Sequence, residues 1–576
     1  MSTEAVAPPR SGSSARLGEG PLGALLSVLR RNHAVVALVL YAAAALIIQR
    51  HALAHLGSSC ACAGTDPTAY MWALVWWPHA IVHGLNPFVT HVFWVPDSIN
   101  LAGLASVPGP ALVAAPLTAL AGPIVSYNVL MLIAPVTGAW FAYRLCLYLT
   151  RTPAASILAG YVYGFSTYGI GHLAGHMNLV FTFGAPALVL LTLKRIDGVI
   201  SARRYLILAT IVLIAQLATG TEMLFTMTCL GVVALAAGWV VSTPEKRRRI
   251  VGALVPLIGA YVVLGIICSP FLYYALTGPN VVGALPAQFP ADALSFAIPA
   301  SFDIVGGHRF GPVSSAFAGN FAENGTYLGL PVILIVAAWA VTRWRTRAGR
   351  ILLTVLAVAV VWSLGYVLNI DGHGTIPLPF KLFSHVRGFE EVIPVRIGVY
   401  VFLVCAVIVA LWLAEPGSSR LRRWPLALLA VIFLFPNANA GYFDQTLPDP
   451  AFFKTNLYRQ YLHPDEVVLP IPYGVAGPGL LWQARTGMYF RYASGGFYVP
   501  PNYGLNPFVQ QALTGQPALK PTVLALRSFL AEHHVGAIVA EADQAGVWPR
   551  VLARLGLSGI PVGGVLLYRV PASLQI

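Results

Sequence analysis

The side chains able to do chemistry sit in a few short stretches of this sequence. Asp66 lies in GTDPTAYMWALVWWPHAIVHGLNPFVTHVFWVPD, from Gly64 to Asp97, just beyond an apolar run. A carboxylate placed there can take a proton from a hydroxyl. His172, His176 and Asn178 stand close together in STYGIGHLAGHMNL, and Glu222 opens a later apolar run. Lys381, His385, Arg387 and Arg396 crowd into IPLPFKLFSHVRGFEEVIPVRIGVY, from Ile376, beside Glu390 and Glu391. Arginine grips phosphate oxygens through two parallel hydrogen bonds, so this run is a candidate for holding a phosphorylated ligand.

Each of these residues also has a structural reading. Asp66 precedes Pro67 and can cap the helix expected over Thr68 to Val82, a role compatible with catalysis because a cap fixes the carboxylate's direction. Tyr70, Trp72, Trp76, Trp77 and Trp94 suit the lipid interface as well as stacking on a ring-shaped ligand, for which Trp76 is the candidate. His172 and His176, four apart, can share a helical face. With no carboxylate beside them in sequence no metal is assigned, and with Asn178 they read as hydrogen-bonding groups for a polar ligand. Glu222, at the mouth of a span, is a site candidate whose alternative is an exposed cap. Arg387 or Arg396 can instead pair with Glu390 or Glu391. Cys60 and Cys62 are awkwardly close for a disulfide, and no neighbouring ligand set makes them a metal site.

The elements that must position these groups are membrane spans. Of 576 residues, 57% are hydrophobic and only 10% charged, and the mean hydropathy is +0.72, which excludes an ordinary soluble chain. The net charge of +14 sits in short clusters between apolar runs, the pattern of orientation signals rather than of a nucleic-acid surface. The segment Val107 to Ala121, short and broken by Pro108, Pro110 and Pro116, reads as lying on the membrane. The remaining runs then give about eleven spans, 34–54, 124–149, 154–170, 179–193, 205–220, 222–241, 250–275, 326–342, 351–368, 394–414 and 424–440. With this count every main Arg/Lys cluster falls on the cytoplasmic side, and the loops carrying the candidate residues fall outside.

The expected organisation is a disordered cytoplasmic tail over 1–30, a transmembrane domain over 31–440 whose first outer loop is 57–123, and an extracytoplasmic α/β domain over 441–576. Strand-like pieces at Glu466 to Ile471, Val535 to Ala540 and Val565 to Val570 alternate there with helical ones. GLNPFV occurs at Gly84 and again at Gly504, without a wider repeat.

The stretches GTDPTAYMWALVWWPHAIVHGLNPF, PxxxLAGPIVSYN from Pro116, AASILAGYVYGFSTYGIGHLAGHMNL from Ala154 and the LPFKLF…IPVR run ending at Arg396 resemble the GT-C superfamily of integral-membrane glycosyltransferases, in particular its bacterial multi-span members. The resemblance implies a GT-C-like polytopic α-helical protein of the cell inner membrane. It also implies a polyprenyl-phosphate-linked sugar as donor, a glycan, lipid or protein acceptor, and Asp66 as the base acting on the acceptor hydroxyl. Arg396, Arg387, Lys381 and His385 are then expected to hold the donor phosphate. No Asp-x-Asp stands in the second outer loop, where His176 and Asn178 are found, so no metal or other cofactor is expected. A transporter or lipid flippase would place ionisable groups in the middle of spans, which are nearly free of them here. A non-enzymatic envelope-assembly protein is the third reading.

Overall fold

The computed structural model describes residues 32–278, 289–386, 388–417, 420–474, 477–497, 499–513 and 519–575; the expected tail over 1–30 lies outside them. The principal helices of the first part are α1 (His33–Ile48), α2 (Asp66–Val82), α3 (Ala115–Thr150), α4 (Pro153–Gly164), α5 (Thr167–Leu173), α6 (Gly184–Ile196), α7 (Ala202–Leu217), α8 (Thr221–Val241), α9 (Pro244–Ile267), α10 (Gly329–Arg343), α11 (Arg347–Ser363), α12 (Gly398–Ala414) and α13 (Arg420–Phe433). Each expected span overlaps at least one of them. Among the described residues five helical segments are long and apolar enough to cross a membrane by length and composition: Ala115–Thr150, Met177–Ile196, Thr221–Val241, Pro244–Ile267 and Pro394–Ala414. The protein is a polytopic helical membrane protein.

A helix apolar on every face has no side to offer water, and it ends up surrounded or in lipid. α12 is surrounded: from Gly398 to Ala410 all its residues are buried, against α3, α4, α10 and α11. α8 and α9 also carry long apolar stretches but keep much of their surface open, as lipid-facing helices do. The segment Val107 to Ala121 forms a short helix, Pro108–Val113, and the opening of α3, which breaks direction at Gly122 (φ 85°, ψ 170°). That φ is open to glycine, and Pro123 after it has no N–H to continue the ladder.

The C-terminal part folds as a five-stranded sheet with helices. Its strands are β1 (Val467–Ile471), β2 (Arg491–Tyr492), β3 (Ala537–Glu541), β4 (Ile560–Val562) and β5 (Val565–Arg569), in the order β4-β5-β3-β1-β2. β1 runs parallel to β2 and β3, with Leu469 opposite Ile538, while β5 is antiparallel to β3, with Leu567 opposite Val539. α14 (Leu519–Glu532) makes the crossover into β3, and α15 (Trp548–Ala553) follows it.

The loop 57–123, expected to be the first outer one, is built into this domain. The Trp94 N–H donates to Ser494 O, Val95 N–H to Tyr492 O and Tyr492 N–H to Val92 O, so residues 92–95 cover the β2 edge that would otherwise stay unpaired. Trp72 of α2 donates its indole N–H to Gln483 Oε1 at 2.7 Å, and Gln483 returns its amide to Val92 O. Both copies of GLNPFV fold into one kind of turn, Asn86 Oδ1 accepting from Phe88 N–H at 3.0 Å and Asn506 Oδ1 from Phe508 N–H at 2.9 Å.

One expectation is corrected here. Cys60 and Cys62 are bonded to each other, with their Cα atoms 5.2 Å apart. A tight turn closed by the Cys62 N–H on Cys60 O at 2.8 Å brings them together, and Asn128 Oδ1 fixes the intervening Ala61 N–H.

Candidate active site

Asp66 is the first residue of α2 and does not cap it: the cap position is Thr65, and no side chain accepts from the first turn. The carboxylate turns instead to His176, whose Nε2 lies 3.2 Å from Asp66 Oδ2, and the aspartate side chain stays 59% exposed. The helix end behind it favours its negative charge. Thus the acid is aimed and still reachable.

His176 and His172 bracket the end of α5, and their Nδ1 atoms are 3.0 Å apart, one donating to the other. His172 is buried, and its Nε2 lies 3.7 Å from Glu323 Oε2. Burial pushes the His172 imidazole down to about 3, more than the nearby Glu323 charge lifts it, so it is neutral at physiological pH. Asn178 completes this edge by accepting the Tyr70 hydroxyl on its Oδ1 at 2.6 Å. Tyr70 is buried, which holds its phenol well above its ordinary range and hence as a donor.

Glu323 was not legible as a site residue. It stands in the loop segment FAENGTY, with no motif around it, and the one available signal was that an arginine among apolar residues demands carboxylates from elsewhere. The structure brings it to Arg396. Arg396 Nε and Nη2 both donate to Glu323 Oε1, at 3.0 and 2.6 Å, and Nη1 donates to Glu222 Oε2 at 2.5 Å. Burial raises the Glu323 carboxyl, but the Arg396 guanidinium overrides it and holds the group at about 2. His172 and His176 act in the same direction, less strongly than Arg396.

This arrangement settles where the expected residues stand. Glu222 is no exposed cap: its Oε1 accepts the Ile393 N–H at 2.9 Å and its Oε2 faces Arg396. Arg396 pairs with Glu222 and Glu323 rather than with Glu390 or Glu391, because the turn Pro394–Ile397 points it into the bundle. Three of its five N–H donors face carboxylates, so it meets protein anions where a ligand phosphate was expected. Trp76 is also corrected. It is only 2% exposed, with its indole N–H on Pro87 O and its ring against Trp72 and His79, and so it presents no face to a ligand. Lys381 and His385 are exposed on the loop leading to Arg396, and no ion pair holds either among the described residues. Arg387 lies outside the described residues.

The group His172, His176 and Glu323 has ligand atoms within 4.8 Å of one another. Glu323 Oε2 is buried without a hydrogen-bond partner, and an ionised buried oxygen in that condition calls for a cation or a proton. These three residues therefore fit a divalent cation, and two imidazoles with one carboxylate suit a borderline ion such as Zn²⁺ better than Mg²⁺.

No family model matches the chain, and no curated protein matches it by sequence. Solved structures do match its fold. The Archaeoglobus fulgidus oligosaccharyltransferase in its apo form superposes with a TM-score of 0.54 at 12% identity, over 90% of this chain and 71% of its own. The same enzyme tethered to an acceptor peptide gives 0.51 at 12% identity, over 95% and 75%. ArnT from Cupriavidus metallidurans bound to undecaprenyl phosphate gives 0.50 at 11% identity, over 93% of this chain and 98% of its own. Both proteins have the GT-C fold of membrane glycosyltransferases, and this chain shares it.

Proposed function

We propose that this protein is an inner-membrane glycosyltransferase that moves a sugar from a polyprenyl-phosphate donor to the hydroxyl of an extracytoplasmic acceptor, with inversion. The observation that carries the reading is the pairing of Asp66 with His176 in a GT-C fold: an exposed carboxylate, directed by an imidazole from the next loop, at the start of a helix that packs beside the bundle. The neighbours' ligands, undecaprenyl phosphate in one and an acceptor peptide in the other, support the substrate classes. The positive-inside pattern supports an N-terminus in the cytoplasm and the site and C-terminal domain outside.

In this mechanism Asp66 accepts the acceptor's hydroxyl proton as its oxygen attacks the sugar's anomeric carbon from the face opposite the phosphate. Positioned proton removal contributes about 10²–10⁴-fold. His176 keeps the carboxylate aimed, and Arg396 holds Glu323 and Glu222 in place. We assign Lys381, His385 and Arg387 to the departing phosphate from their place in the run before Arg396. A divalent ion held by His172, His176 and Glu323 would supply positive charge beside the Asp66–His176 pair.

Mass spectrometry of lipid-linked sugars and envelope glycans, in cells with wild-type protein and with Asp66→Asn, tests the reading. The variant should accumulate a polyprenyl-phosphate sugar and lose one glycan substituent. Identical profiles in the two strains would remove the proposal.

A further inference from the structure

α8 and α9 form a hairpin whose turn lies at the opposite end of α8 from Glu222. Nineteen residues of helix separate the two, roughly 28 Å at 1.5 Å per residue, so the turn belongs to the other leaflet. Beside this turn the two helices leave a groove of about 390 Å³ lined by Val232, Leu235, Ala236, Trp239, Ile250 and Leu254, among others. The floor is apolar, and Val232, Trp239 and neighbouring Val240 and Val251 are largely exposed along it.

The groove's open end is cationic. Lys246 and Arg247 lie one helical turn before Ile250 and Val251, and Arg248 and Arg249 complete the run. Arg247 lays its guanidinium over the Trp239 ring, 4.7 Å from the centroid, and donates to the Trp239 and Val240 carbonyls at the end of α8. Arg249 pairs with Glu245 at 2.7 Å. Lys246 and Arg248 are exposed and have no anionic partner among the described residues. The lining on α8, from Val232 to Val240, is about 12 Å long, close to the roughly 15 Å of hydrocarbon in one leaflet. An indole at the rim marks the depth at which headgroups begin.

We infer that this groove is a binding site for one anionic phospholipid of the leaflet opposite the candidate active site, with an acyl chain along the α8–α9 cleft and the phosphate on Lys246 and Arg248. The match is of two kinds at once, an apolar channel of leaflet depth and two unpaired cations in the first turns of α9, Lys246 flanking it beside Ile250 and Arg248 beside Val251. A zwitterionic lipid fills the channel but carries a choline that these cations repel. Anionic headgroups gain about a factor of five per juxtamembrane cation.

The test uses purified full-length protein in a neutral detergent, titrated with phosphatidylglycerol or phosphatidylcholine and read by native mass spectrometry. Phosphatidylglycerol should occupy one saturable site well before phosphatidylcholine binds. Lys246→Gln with Arg248→Gln should weaken it roughly 30-fold, and Arg248→Lys should restore most of the loss. Ala236→Trp, which fills the channel from an exposed position and leaves both cations in place, should abolish it. Val232→Trp serves the same purpose if Ala236→Trp unfolds on heating below the wild type. Equal affinity for the two lipids, or a phosphatidylglycerol site that persists in the channel-filled and charge-removed variants, would overturn the inference.

Discussion

His176 Nε2 stands 3.2 Å from Asp66 Oδ2, joining the loop after α5 to the first residue of α2. The contact fixes the carboxylate without covering it, which is the condition a general base must meet. It also links the acid to His172, Glu323 and Arg396 through a chain of buried polar contacts.

Replacing Asp66 by Asn keeps the shape and removes the proposed base. Transfer should fall by about 10²–10⁴-fold, while the melting temperature stays close to that of wild type, because the side chain is mostly exposed. His176→Ala should give a smaller loss, since the carboxylate remains but is no longer aimed. Sugar transfer measured alongside thermal unfolding separates these outcomes, and full activity in Asp66→Asn would sink the assignment.

Arg396 balances two carboxylates, with side chains of Glu222 and Glu323 only 16% and 2% exposed. Arg396→Met strands both charges and should cost about 3–5 kcal/mol of stability. Combining it with Glu222→Gln and Glu323→Gln should recover much of that loss. Unfolding in detergent reads both; an Arg396→Met protein as stable as wild type would show that the network contributes nothing.

Divalent-ion binding is checked by titrating chelator-treated protein with Zn²⁺ or Mg²⁺ in a calorimeter. One Zn²⁺ should bind far more tightly than Mg²⁺ and raise the melting temperature. Glu323→Gln and His172→Ala should each weaken it strongly. Zinc binding that is indifferent to these changes belongs elsewhere on the protein.

Trp72 is fully buried at the seam between α2 and the C-terminal domain, stacked on Trp76 at 5.3 Å and edge-on to Phe93 at 4.9 Å. Trp72→Ala should cost about 3–5 kcal/mol. It also strands the Gln483 amide oxygen, so limited proteolysis should cut the C-terminal domain free sooner than in wild type. An unchanged digestion pattern would argue that the seam does not hold the domain.

Stability should fall as the solution is acidified below about pH 6.5, in part through His533. Burial lowers its imidazole below the ordinary value, against the opposing pull of the Phe529 carbonyl, Glu532 and Asp97. A folded value below the unfolded one means that the unfolded chain binds the extra proton, so the stabilisation is complete above the unfolded value and fades as pH drops. His533 stacks on Phe529 at 3.9 Å. His533→Phe keeps that packing, and its melting temperature should decline less between pH 7 and pH 5 than that of wild type.

The sequence by itself determined the class and the frame. Runs of apolar residues too long and too poor in charge for water fix a polytopic helical protein, because a bilayer offers backbone groups no partner but the helix itself. Alternating strand and helix patterns located the C-terminal sheet, and Pro108, Pro110 and Pro116 marked Val107 to Ala121 as short and broken, whereas the change of direction at Gly122 inside α3 shows only in the structure. The same reading picked out Asp66, His172, His176, Asn178, Glu222 and Arg396, which the fold brings together. Tertiary structure alone decided which partner each of them takes. Glu323 is joined to Arg396 across distant loops by packing that no spacing encodes, and Trp76, aromatic and near the acid in sequence, turns inward because α2 is covered on one side by the bundle and on the other by the C-terminal domain. Pairing energies of buried charges depend on distances of a few ångströms and on the exclusion of water, and both exist only once the chain has closed around them.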